Sequence, residues 1–385
     1  LFFAHISDAP KSKTSLQPQA ARFPHPGIGQ AFTACTLPYC VRIALDASYT
    51  VSAEPTGIGV YSAKLISQLA QLNPADRFLL CYRPKQFLQS RIPKMPSNVS
   101  RRLLQPPLPV WGATVFHGLN QRIDRCPAPR IVTTFHDLFV MTSEYSSTDF
   151  RARFTRQAQL AAASSDLIVA VSEFTASQVR DLLNVPSSKI RVIPHGVDPV
   201  DPPPGAGREN IILFVGVLQE RKNLTRLVKA FERIPSPWRL VIAGSANGFG
   251  ARRILDAIAA SPVRPRIEVT GYLPASGLHD LYRRAAIFAF PSLDEGFGIP
   301  VLEAMAYGVP VLTSNRSALP EVAGEAALLV DPFCEEQIAN ALLRLASDES
   351  LRNQLRSLGF QRAASFTWEK TAQSTYRVYR ELGGN

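Results

Sequence analysis

Short apolar runs alternate with helical segments along this chain, and the alternation runs through once, halts at a cluster of prolines, and begins again. VRIALD opens the first round, TGIG comes next, and VYSAKLISQLAQL carries apolar residues at helical spacing. RFLLCY, ATVFHG, RIVTTFHD and DLIVAV read as further buried strands, with helical patterns after His136 and across 173–183. Runs that are apolar at consecutive positions suit strands covered on both faces, so a parallel sheet between helices is expected. In RVIPHGVDPVDPPPGAG, the prolines 194, 199, 202, 203 and 204 can continue neither element, which predicts a linker. NIILFVG, a helix over 223–234, RLVIAG, RIEVTG, AIFAFP, a helix after Pro300, PVLTS and AALLV then repeat the grammar. The expected class is α/β, with two Rossmann-like, doubly wound units whose strand-end loops face each other across a ligand-binding cleft.

Boundaries come from these breaks. Residues 1–40 carry five prolines and no sustained period, and read as an extension with little structure of its own. Residues 41–200 and 201–365 form the two units, and 366–385 a terminal helix, with Trp368, Ala372, Tyr376 and Tyr379 at helical spacing, that packs back across them. The start, LFFAHISDAPKSK, is read as no secretory signal, and no run reaches the length of a membrane span. Five cysteines at 35, 40, 81, 126 and 334 show neither a zinc-binding spacing nor an even disulfide set, which fits a reducing cytoplasm. Residues 41–200 hold eighteen basic and eleven acidic residues, a bias suited to phosphate groups, an anionic membrane or simple solubility. Nucleic acid is the weakest partner, because no recognition module accompanies the charge.

The segment PSLDEGFGIPVLEAMAYGVPVLTSN, residues 291–315, carries the most chemistry. Gly296 and Gly298 permit close backbone approach, and Pro300 suits the first turn of a helix, whose free N–H groups and dipole favour an anion. Glu295 and Glu303 flank that turn. Each alone is ordinary, a helix-start acid or a solvated loop carboxylate. Together they suit a nucleotide sugar, since a carboxylate can accept two hydroxyls of a diol and the helix start can hold phosphate between them. In ILFVGVLQERKNL, Arg221 and Lys222 lie between a strand and a helix, where both can pair with a diphosphate to make a positively charged cradle. Gly57 and Gly59 sit after the first strand. His136 ends another strand, and either reaches the cleft or bonds a neighbouring backbone group while Asp137 caps the next turn.

These residues, in this order over roughly 41–382, resemble the retaining glycosyltransferases of family four, which have the GT-B architecture. EGFGIPVLE is similar to the family's pair of glutamates separated by seven residues. The resemblance implies that Glu295 contacts donor sugar hydroxyls, Glu303 the ribose, and the amides around Val301 and Leu302 the distal phosphate. It adds Gly57, Gly59, Gly216, Gly296, Phe297, Gly298 and Ile299 to the donor site, and His136, Arg221, Lys222 and Glu295 to the catalytic set. Val217 departs from the arginine many members carry there; the Arg-Lys-Asn arrangement, FHDLF and SNRSALPEVAG resemble a bacterial subgroup that includes mannosyltransferases. The activity implied by the resemblance is transfer of a hexosyl residue, with GDP-mannose the favoured donor, to a glycan or lipid-linked acceptor. Retention would come by same-face attack, with neither a metal nor a protein nucleophile. Arg151, Arg153 and Arg156 among Phe150 and Phe154 suggest peripheral attachment of a cytoplasmic protein to an anionic membrane. A glycosidase and an inactive nucleotide-sugar-binding protein are the competing classes.

Overall fold

The structure is a computed structural model that describes residues 41–383 apart from 53, 55–56, 91–95, 107, 124–127 and 201–206. The expected extension over 1–40, together with Cys35, Cys40 and Cys126, lies outside the described residues. Cys81 and Cys334 are free thiols.

Seven parallel strands form the first sheet: β1 (Arg42–Asp46), β2 (Arg77–Tyr82), β3 (Val99–Leu103), β4 (Val115–Gly118), β5 (Arg130–Phe135), β6 (Leu167–Ala170) and β7 (Ile190–Val192), in the order β3-β2-β1-β4-β5-β6-β7. Six more form the second: β8 (Glu209–Val215), β9 (Arg239–Ala243), β10 (Ile267–Gly271), β11 (Ala285–Phe290), β12 (Val311–Ser314) and β13 (Ala327–Val330), in the order β10-β9-β8-β11-β12-β13. Both orders are doubly wound. The central strands are those with unbroken apolar runs; all six residues of β11 are buried, because helices cover both faces. Two edge strands carry no such pattern, for the converse reason. VSRRL of β3 leaves Arg102 and Leu103 exposed, and β7 is three half-buried residues within the proline-rich stretch.

In each sheet the strand order reverses once, between β1 and β4 and between β8 and β11. The loops leaving such a pair diverge to opposite faces, opening a crevice at the carboxyl ends of the strands. The chain passes between the two halves beyond β7 and again at 365–367, and the passages touch at a Val197–Thr367 bridge. A Cβ on Gly196 would lie 2.2 Å from the Trp368 nitrogen, so only glycine admits this crossing. Helix Trp368–Gly383 then returns to the first sheet, where Trp368, Ala372, Val378 and Tyr379 join its core. The Tyr379 hydroxyl meets His117 Nδ1 at 2.6 Å, and the Tyr376 hydroxyl donates to Asp76 at 2.5 Å.

Candidate active site

The loops leaving β8 and β11 supply the cationic and acidic residues at the second switch point. They are stitched together: Leu293 N donates to the Arg221 carbonyl at 2.8 Å, Ser292 Oγ lies 3.0 Å from the same oxygen, and Asn223 Nδ2 donates to the Pro291 carbonyl at 3.0 Å. Arg221 and Lys222 lie in a single 3-10 turn, and Asn223 ends it in the left-handed region at φ 60°. Glu295 closes the constellation. Its Oε1 accepts from Lys222 Nζ at 2.6 Å and Ser292 Oγ at 2.7 Å, and lies 2.9 Å from Arg221 Nη1. One carboxylate oxygen therefore gathers three donors, which leaves Oε2 for another partner. Burial pushes the Glu295 carboxyl up, but Arg221, Lys222 and the hydrogen bonds override it and hold it down at about 2. Burial, then Arg221, lowers Lys222 to about 8. The rings of Phe139 and Phe290 lie 4.4 and 4.7 Å from the Arg221 and Lys222 charges and exclude water from them.

The cradle is not simply positive, as residue order suggested, because two aspartates join it. Burial, then Glu295 and Asp137, raises Asp294 to about 7, and its buried Oδ1 has no hydrogen-bond partner. Asp137 lies next to Arg221, Lys222 and Glu295; burial raises it to about 6 against the pull of Arg221. Three carboxylates thus meet two cations. Since both aspartates have raised values, their ionisation is unfavourable in this fold, and an arriving anion makes it more so. A diphosphate ester is therefore expected to bind more tightly at pH 6 than at pH 8 and to take up protons near pH 7. Titration calorimetry in buffers of different ionisation enthalpy measures that uptake, and a pH-independent affinity would refute the linkage.

Helix Ile299–Ala306 begins just beyond, with Gly298 at φ 105° and Pro300 as its second residue. The Val301 amide is engaged, donating to the Gly298 carbonyl at 3.0 Å, and the side chains of Val301 and Leu302 are fully buried. No described residue accepts from the amides of Gly296, Phe297, Gly298 and Ile299, so free N–H groups lie at the turn into the helix. Glu303 is the fifth residue of the helix rather than a first-turn acid, and accepts from the Tyr282 hydroxyl at 2.9 Å. Burial pushes its carboxyl up. Gly216, at φ 148°, ends β8 beside the Lys222 stem.

From the first sheet, His136 turns its ring inward. Nε2 meets the Leu119 carbonyl at 2.9 Å, Nδ1 faces His195 Nε2 at 3.4 Å, and burial lowers the imidazole to about 4, keeping it neutral. Its backbone carbonyl faces the other way, packed so close to Gly296 that a Cβ there would sit 1.7 Å from the oxygen. Leu138, not Asp137, occupies the cap position of the next helix, because Asp137 is drawn to the cations. Gly57 and Gly59 form the first turn of helix Gly57–Leu72, whose Tyr61 packs edge-on against His136 at 4.7 Å. Ser292 and Asp294 are sequence neighbours of Glu295 and could have been found that way; Phe139 carried no such signal. In helix Thr148–Ser164, Arg151 pairs with Glu144 and Phe154 packs on the core, leaving Phe150, Arg153, Arg156 and Leu160 exposed.

Residues 55–201 match the family described as Glycosyltransferase Family 4, and residues 201–362 that described as Glycosyl transferases group 1. Over 370 residues the chain is 29% identical to the O-antigen chain mannosyltransferase B of Escherichia coli, an alignment covering 85% of this chain and 96% of the relative. Sucrose-phosphate synthase from Thermosynechococcus elongatus has a similar structure, with a TM-score of 0.73 at 22% identity over 89% of this chain and 99% of its own. HepE of Anabaena, solved with UDP-glucose, has a TM-score of 0.66 at 17% identity over 88% of this chain and 98% of its own. The two-sheet arrangement is thus the GT-B fold expected from the sequence.

Proposed function

The chain belongs to the group 1 glycosyltransferases of family 4, and from that premise we propose that it transfers mannose from a nucleotide diphosphate sugar, GDP-mannose, to a glycan or lipid-linked acceptor with retention at the anomeric carbon. One observation carries the reading: Arg221 and Lys222 converge on Glu295 beside a helix-start loop whose amides have no partners. Cleaving the sugar–phosphate bond builds negative charge on the leaving diphosphate, and two buried cations with preorganised amides stabilise it. Those cations supply the charge a metal would otherwise bring, so turnover that survives a chelator supports metal independence. Glu295 Oε2 accepts donor sugar hydroxyls while Oε1 stays with the cations. Glu303, steadied by Tyr282, accepts the ribose hydroxyls. The neutral, inward-facing His136 ring makes its carbonyl the group that meets the sugar side. The leaving phosphate then takes the proton of the attacking acceptor hydroxyl.

Mannose is favoured by the FHDLF and SNRSALPEVAG segments and by the likeness to a mannosyltransferase. A thermal-shift screen of nucleotide diphosphates and their sugars, and then donor turnover, tests the proposal. Stabilisation by GDP and GDP-mannose with slow donor hydrolysis supports it. Stabilisation without turnover identifies an inactive binder, and sugar release from a nucleotide-free glycoside identifies a glycosidase. We further propose peripheral docking on anionic lipid through Phe150, Arg153, Arg156 and Leu160, with the Arg153 guanidinium 5.5 Å from the Phe150 ring. No helix among the described residues is long and apolar enough to cross a membrane. Salt-sensitive flotation with anionic vesicles supports docking, and its failure leaves these side chains as a solvated face.

A further inference from the structure

We propose that Ser172 and Thr175, which belong to the first-sheet half and touch no cation of the site, are positioning residues that hold the Gly296 carbonyl and thereby set the donor loop for transfer. Ser172 Oγ lies 2.7 Å and Thr175 Oγ1 3.0 Å from the Gly296 carbonyl oxygen, 124 and 121 residues away in the chain. Both side chains are fully buried. Ser172 works twice, since its oxygen also accepts from the Thr175 amide at 2.9 Å and so caps helix Glu173–Leu183. The same helix start grips the second half again, through Glu321, whose carboxylate accepts from the Glu173 and Phe174 amides at 2.9 and 3.3 Å.

Gly296 stands between Glu295 and Phe297, so its conformation governs where both point. On one side the His136 carbonyl presses against it with no room for a Cβ; on the other the two hydroxyls take its oxygen. The peptide unit is planar and trans, so fixing the Gly296 carbonyl fixes the Phe297 N–H in the opposite direction, away from Ser172. That N–H is one of the four unpartnered loop amides. Without the two hydroxyls the carbonyl has no partner from the first half and the peptide is free to rotate. The contact between the halves therefore orients an anion donor of the loop. This inference rests on the transferase reading.

Thr175→Val keeps the side-chain shape and removes one donor, and the Ser172→Ala/Thr175→Val double variant removes both. Thr175→Val is expected to lower kcat on the order of tenfold and the double variant on the order of a hundredfold. Calorimetric affinity for the nucleotide diphosphate is expected to fall by clearly less than kcat, because Arg221, Lys222 and the other loop amides still meet the anion. Thr175→Ser, which keeps the hydroxyl, is expected to restore kcat. A kcat that stays normal in the double variant, an affinity that weakens as much as kcat falls, or a serine that rescues nothing would each overturn the proposal. Small-angle scattering gives a readout independent of turnover: the double variant is expected to have a larger radius of gyration than the unaltered chain. Should the unaltered chain turn over no donor, the transferase reading fails by itself, and a double variant as compact as the unaltered chain then overturns the positioning role.

Discussion

Lys222→Ala is expected to lower kcat/KM on the order of a hundredfold, about 2 to 3 kcal/mol of transition-state stabilisation. The ammonium group is 2.6 Å from Glu295 Oε1 with only 10% of its side chain exposed, so its charge acts in a water-poor setting where it is worth far more than on a surface. Arg221 stays in the variant but does not replace it, since its Nη1 is held by Glu295 and, at 2.8 Å, by the Asp294 carbonyl, and it cannot reach the position of the lost ammonium without leaving them. Lys222→Arg is not a conservative repair either: it replaces a point charge, 2.6 Å from Glu295 and 4.7 Å from the Phe290 ring, with a planar five-donor fork. Steady-state kinetics with a saturating acceptor measures the effect, and turnover close to normal in Lys222→Ala would remove the lysine from the mechanism.

Glu295→Ala is expected to have the largest consequence, and in two opposite directions. Transfer falls by at least about a hundredfold, because the oxygen that orients the donor sugar is lost. The free protein also loses about 3 to 5 kcal/mol, since two buried cations are left without their carboxylate. A nucleotide diphosphate supplies the missing negative charge, so its affinity does not weaken, and the rise in Tm that it produces exceeds that of the unaltered protein. Differential scanning calorimetry with and without the nucleotide reads both. Acid should reproduce part of this loss. The Glu295 carboxyl is held at about 2 against an ordinary 4.5, so its stabilisation is complete above the ordinary value and disappears as pH falls towards the folded one. By contrast Glu303→Ala is expected to weaken nucleotide binding about tenfold with a smaller change in kcat, the loss of one charged hydrogen-bond acceptor. Equal effects of the two substitutions on binding and on rate would end the division of labour between them.

Part of this site was legible from residue order. Glycines and a proline between a buried strand and a helical pattern placed an anion-accepting turn at 296–300, and a cationic pair after NIILFVG placed its counterpart. Residue order did not reveal that the pair lies against Glu295, 73 positions on, rather than waiting open for a ligand. Residue order offers Asp137 as a turn cap and says nothing of Asp294; their raised values come from burial and from Glu295, with Asp137 adding to that of Asp294, a setting that does not exist until two loops of the second half meet one of the first. Ser172 caps the helix that follows it, a local role. Its second hydrogen bond crosses to the other half and carries no local signature.

Fold class was determined by the sequence itself, because consecutive apolar residues separated by helical periods can be buried only as parallel strands under helices, and prolines divide them into two sets. The edge strands, the partners of each charge and the grip on Gly296 were decided by tertiary structure alone. Periodicity records how a residue meets its neighbours along the chain, whereas pKa, hydrogen-bond partner and loop orientation depend on groups more than a hundred residues away brought within 3 Å.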